Sequence, residues 1–144
     1  MLEHLHAHRE WANQRIIEWY LALQSPEEYC LKMLSHILLG EETWLRRIHG
    51  KPNREVWQTL SAEELKPLSD ANNAAWREVL KSDLSRRVRY RRQSDGESES
   101  SLADIATHLC MHGTYHRGQI AAQAARVGLK CPTTDFIAFS RLAS

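Results

Sequence analysis

Apolar residues recur at three-, four- and seven-residue steps in four separate stretches of this chain, and most of these stretches carry helix start or stop signals. The first stretch aligns Leu5, Ala12, Ile16, Trp19 and Leu23 on one helical face and ends near Gln24. Ser25-Pro26-Glu27-Glu28 then reads as a helix start, with Ser25 as cap, Pro26 in the first turn and Glu28 closing a capping box. The second helix turns Leu31, Leu34, Leu38, Leu45 and Ile48 inward and stops at Gly50, with Pro52 just beyond. Residues 52–60 read as a loop whose Val56 and Trp57 pack over the helices. Ser61-Ala62-Glu63-Glu64 is a further capping box, but Pro67 interrupts the helix it would start, so a short turn and then a helix from Ser69 to Lys81 are expected. Ser101 starts the fourth helix, which runs to Val127 with Gly128 past its end, and a short last helix begins near Thr134. Residues 86–92 alternate arginines with Val88 and Tyr90, an extended period, and 94–100 read as a polar turn. With no second strand in evidence, the expected fold is all-α: an antiparallel four-helix bundle with a short extra C-terminal helix, one domain over residues 1–144.

Charge and cysteine content narrow the function classes. A formal net charge of +1 gives no global pull toward nucleic acid or an acidic membrane. The three cysteines, Cys30, Cys110 and Cys131, form no Cys-x-x-Cys pair and no disulfide framework. No stretch has the length of a signal-peptide core or a membrane span, so the cytoplasm is the expected compartment.

Eight histidines is a high count for a chain of this length, and three of them, His108, His112 and His116, share the fourth helix. Residues four apart lie about 40° apart around a helix and about 6 Å along it, so two such imidazoles can converge on one ion. His108 and His116 are separated by roughly 12 Å, too far for one ion to take all three. The pair is therefore either His108 with His112 or His112 with His116. A third ligand has to come from another helix, with His4, His6, His8, His36 and His49 as candidates. Spacing favours His36 only modestly; His49 sits where it would complement a helix dipole, and His4 and His8 lie at a terminus expected to fray. Protons compete for imidazole lone pairs, so metal affinity is expected to weaken as pH falls through roughly 6.5.

Several motifs together resemble the DinB family along essentially the whole chain. They are Trp11-Ala-Asn13, Ser35-His-Ile-Leu38 with Glu41 and Trp44, His112-Gly-Thr-Tyr-His-Arg-Gly-Gln119, and Gly128 followed by Pro132 and Thr134-Asp135. The resemblance implies a four-helix bundle, often dimeric, with one divalent metal ion on three histidines. By position these are His36, His112 and His116. It implies no DNA binding. Some family members are S-transferases or isomerases that use a low-molecular-weight thiol. The expected activity is therefore metal-dependent attack on a small electrophilic substrate, with a metal-dependent hydrolase or a non-catalytic metal-binding bundle as alternatives. Zinc or nickel is the expected ion, with iron or another divalent ion possible on the same ligands. A homodimer through the first and fourth helices is expected.

Other signals have plainer readings. The arginines of 86–92 read as a solvated edge balanced by Asp95, Glu97 and Glu99, with an anion or nucleic-acid contact or a grip on an acidic substrate as the functional alternative. Glu41 and Glu42 read as a solvated helix face, with orientation of a ligand histidine or general-base work as the functional alternatives, Glu41 the better placed of the two. Arg117 and Gln119 read as polar packing or a dimer contact, with support of the ligand histidine as the lesser alternative, and Tyr115 and the tryptophans as core or pocket wall.

Overall fold

The computed structural model describes residues 1–92 and 96–142, which form a mostly helical protein with a small two-stranded sheet. The elements are α1 (Leu2–Leu21), α2 (Glu28–Ile48), α3 (Ala62–Leu80), β1 (Arg87–Arg91), β2 (Glu97–Ser101), α4 (Leu102–Arg126) and α5 (Phe136–Leu142). α2 packs on both α3 and α4, α1 packs on the same two helices, α5 lies on α1, and β1 lies on α2.

Two apolar clusters fill the interior. One gathers Ile16, Ile17, Leu34, Ile37, Leu38, Leu65 and Ile120. The other gathers Leu45, Ile48, Trp76, Val79, Ile105 and Leu109. Their order along each helix sets the topology. α2 and α3 both run from the first cluster to the second, whereas α1 and α4 run the opposite way. The expected antiparallel arrangement is therefore corrected, because α2 and α3 are parallel neighbours. The reason is the connection between them. Residues 50–61 return alongside α2, tied by the Leu60 amide to Ser35 Oγ at 2.9 Å and by the Val56 carbonyl to His36 Nδ1 at 2.9 Å. α3 thus starts at the same end as α2.

Three boundaries differ from expectation for identifiable reasons. α2 is capped by Glu27, not Ser25: its carboxylate accepts from the Cys30 amide at 2.6 Å and from Gln123 of α4 at 2.9 Å. A long-range contact thus chooses the cap. α3 begins at Ala62 and runs straight through Pro67. Its Ser61–Glu64 capping box forms as read, and Pro67 and Glu63 lie on the exposed face, where water can take the carbonyl that Pro67 leaves unbonded. Leu65, Ser69, Asn72, Trp76 and Val79 bury one continuous face on both sides of the proline.

The expected polar turn is in part a strand. β2 pairs antiparallel with β1, setting Arg89 opposite Glu99 and Arg91 opposite Glu97. Val88 is buried while Arg87, Arg89 and Arg91 face solvent. Cross-strand charge pairing, with hardly an apolar residue in β2, explains why periodicity does not show it. Ser94 and Asp95 lie outside the described residues.

Between the two apolar clusters all four long helices contribute buried polar residues. Glu41 accepts from Arg9 Nη1 and from Asn13 Nδ2, both at 2.9 Å, with Asn72 Nδ2 at 3.4 Å. Asn13 Oδ1 accepts from Arg117 Nη1 at 2.7 Å. Glu41 is 1% exposed and Arg9 0%, so this layer is sealed from water.

Candidate metal centre

His36 projects from the middle of α2, and His112 and His116 project from successive turns of α4, the helix packed against it. One ligand-capable atom of each lies within 4.8 Å of the others. Ring centroids are 4.9 Å apart for His36 and His112, 4.6 Å for His36 and His116, and 4.5 Å for His112 and His116. His36 and His116 are buried and His112 is partly so.

The outer nitrogens of two rings are already engaged. His36 Nδ1 meets the Val56 carbonyl at 2.9 Å, and His116 Nδ1 meets Gln119 Oε1 at 2.6 Å. Each acceptor requires an N–H at Nδ1, which leaves the Nε2 lone pair free for an ion. His36 Nε2 and His112 Nε2 lie 3.2 Å apart. Two nitrogens bound to one ion at 2.0–2.1 Å with a tetrahedral angle would be about 3.3 Å apart, so this pair stands at ligand spacing.

The packing around the rings is specific. Trp57 stacks flat on His36 at 3.6 Å and 6°. A Cβ at Gly40 would come within 3.2 Å of His112 Cε1, so the absent side chain is what gives that ring its place. Burial, reinforced by the neighbouring histidines, lowers the pKa of His112 to about 3; burial also lowers that of His36. Both rings are thus neutral and competent as ligands at neutral pH. Proton competition at these two therefore sets in below the 6.5 expected from unperturbed histidine. The donor set fits one divalent ion with a coordination position left over.

The remaining histidines stand apart. His108 rests against Trp44 at 5.8 Å and does not join the cluster. His6 Nε2 donates to the Ala106 carbonyl at 2.9 Å, and His8 Nε2 to that of Thr134 at 2.6 Å. His4 and His8 are packed against Phe136 and Phe139 of α5, so the expected fraying is corrected: the last helix ties the first one down. His49 is the exposed C-cap of α2.

Glu41 takes a role outside its expected readings, and Gln119 takes the lesser of its two. Glu41 is neither a solvated face nor a support for a ligand histidine, since its carboxylate belongs to the buried arginine layer. Gln119 orients His116, a role that its position three residues along the helix permits but does not single out. Trp57 covers the site and is not core, and Tyr115 is mostly exposed beside His116.

Comparison with known proteins gives the family. The family model for the DinB family matches residues 1–143. The protein is similar to Protein DinB of Bacillus subtilis (strain 168), with 25% identity over 155 residues, covering 92% of this chain and 89% of the relative. The chain belongs to the DinB family.

Proposed function

We propose that this protein holds one divalent metal ion on His36, His112 and His116 and uses the open coordination position to transfer a low-molecular-weight thiol to a small electrophile. The observation that supports the reading best is the convergence of three imidazoles whose outer nitrogens, for two of them, are already bonded elsewhere. Zinc or nickel suits this ligand set. When bound, such an ion lowers the pKa of a coordinated thiol and favours the thiolate.

The chain's own residues divide the remaining work. Val56 and Gln119 hold the tautomers of His36 and His116, Gly40 makes room for His112, and Trp57 shields His36 from water. The nucleophile has to be brought in. Burial pushes the Cys30 thiol up to about 12 and the Cys110 thiol up to about 11, so neither is a thiolate at neutral pH. In the proposed reaction the incoming thiol loses its proton to solvent. Its sulfur forms a bond to the electrophilic carbon as the leaving group departs with its electron pair.

The four long helices are read as a helical bundle that pairs into a homodimer. Met111 and Tyr115, each 68% exposed on α4, border an apolar cavity of about 760 Å³ between α1, α4 and residues 131–136, a surface that suits a second copy. Sedimentation giving a mass near the 16.7 kDa of one chain would contradict this. Among the described residues no helix is long and apolar enough to cross a membrane, and the arginines of β1 face glutamates across the hairpin, which weighs against a nucleic-acid surface.

The activity is tested by loading the tag-free protein with one equivalent of zinc and following conjugation of monobromobimane with a small thiol. The expected rate depends on metal and is lost in His112→Ala. A rate indifferent to both chelator and substitution would overturn the reading.

A further inference from the structure

A cavity of about 250 Å³ opens against His36 and His112, and its chemistry is not that of the ligands. Thr43, Trp44, Arg47, Arg92 and His108 contribute to its walls, and among the described residues no carboxylate does. Thr43 is 2% exposed, and its buried hydroxyl has no hydrogen-bond partner. A hydroxyl sealed beside a cavity without a partner costs stability unless something entering the cavity completes it.

Arg47 is the second observation. Its guanidinium sits 4.4 Å over the Trp44 ring and 5.0 Å from that of Tyr90. Nε donates to Asn53 Oδ1 at 3.0 Å, and Nη2 reaches the Arg91 carbonyl at 3.4 Å. The neighbouring arginines are committed: Glu42 pairs with Arg46 at 3.2 Å and with Arg54 at 2.6 Å. Among the described residues Arg47 has no carboxylate within ion-pair distance. Among the described residues it is a held, oriented cation with no carboxylate paired to it. Arg92 adds a second guanidinium at the same cavity.

We infer that this cavity is an anion subsite for the molecule bound at the metal: Arg47, with the Thr43 hydroxyl, takes a carboxylate carried by the thiol. The inference rests on the metal-site reading above and deepens it by naming the class of molecule bound. A planar guanidinium stacked on an aromatic ring loses little freedom on binding a carboxylate, and the hydroxyl can donate to the same group. The cavity adjoins the rings of His36 and His112, so a carboxylate a few bonds from the sulfur suits it.

The test compares two thiols of similar length on tag-free protein loaded with cobalt(II), reading sulfur-to-cobalt charge-transfer absorption. 3-Mercaptopropionate should bind at least about tenfold more tightly than 2-mercaptoethanol, the scale of one charge-assisted hydrogen bond. In Arg47→Gln the preference should fall below about threefold while cobalt affinity is unchanged. Thr43→Val removes the hydroxyl at nearly constant shape and should narrow the preference by about threefold; it serves as the independent variant if Arg47→Gln does not fold. Equal binding of the two thiols by cobalt-loaded wild-type protein would overturn this inference and leave the metal site standing. So would a full preference surviving in the folded variants, since the carboxylate would then lie on the ion. Failure of wild-type protein to take up cobalt would overturn both.

Discussion

Two buried polar clusters stand side by side on α2 and α4, and they are built on opposite plans. In the layer between the apolar cores, Glu41 meets Arg9, Asn13 and Asn72, and Arg117 meets Asn13. Its members mostly answer one another, with only Arg9 Nη2 and Arg117 Nε left without partners. In the histidine cluster the partners are placed on the outside, at Val56 and Gln119, and the inner nitrogens face one another. Histidines 36 and 116 flank this layer in sequence, the second directly beside Arg117. The difference separates a group buried to hold the fold from a group buried to receive a ligand. Burial alone does not tell them apart; the direction in which hydrogen-bonding capacity is left over does.

The largest expected effect breaks the layer. Glu41→Ala removes the buried carboxylate beside Arg9 and Arg117, leaving Arg9 only its longer 4.0 Å pair with Glu10, and should cost about 3–5 kcal/mol, read as a lower urea midpoint. A loss under about 1 kcal/mol would mean that the layer is not held by its ion pairs.

Acid should act next, through a histidine outside both clusters. His6 accepts from Arg9 Nε at Nδ1 and donates to Ala106 at Nε2, so a second proton would set N–H against N–H. Burial, then Arg9, lowers its pKa to about 4. The unfolded chain takes up this proton near pH 6.5 while the folded chain refuses it. Stability is therefore full above about 6.5 and falls as pH drops toward 4, by on the order of 3 kcal/mol. Denaturant melts of metal-free protein should show that slope together with those of His112 and His36, and His6→Asn should make it shallower by the His6 share; an unchanged slope would remove His6 from the account.

The smallest effect sharpens the contrast. Gln119→Leu removes the acceptor at His116 Nδ1 and should weaken metal binding by about tenfold, with apo stability changed by less than about 0.5 kcal/mol. Competition with a chelator measures the first quantity and urea unfolding the second. A variant that unfolds early but binds metal normally would place Gln119 with the structural layer.

Local chemistry is readable from sequence, and long-range chemistry is not. The bounds of α4 are legible because both its signals are local: Ser101 Oγ accepts the Asp104 amide at 3.0 Å, and Gly128 takes φ +76° just past the end. The start of α3 is not, because Pro67 is disruptive in isolation, whereas burial of Leu65 and Ser69 carries the helix through it. β2 hardly carries an apolar residue, so only its pairing with β1 reveals it. The metal site divides the same way. His112 lies in either possible pair by spacing, but choosing between the pairs, and placing His36, needs the family resemblance. Spacing keeps His36 as one candidate among five and favours it only modestly, because what fixes its ring, the Val56 carbonyl and the Trp57 stack, arrives when residues 50–60 fold back. Arg47 and Thr43 escape a sequence reading for that reason, since a cation with no paired carboxylate or an unpartnered hydroxyl exists only once the neighbours are in place.

The central claim is that His36, His112 and His116 hold one ion, and a zinc titration of tag-free apo protein against a competing chelator tests it most directly. The account predicts one equivalent per chain, with His36→Ala, His112→Ala and His116→Ala each weakening affinity by at least about a hundredfold and His108→Ala changing it by less than about threefold. No stoichiometric uptake by the wild type would contradict it. So would a His108→Ala variant that fails to bind while His116→Ala binds normally, which would move the site one turn along α4.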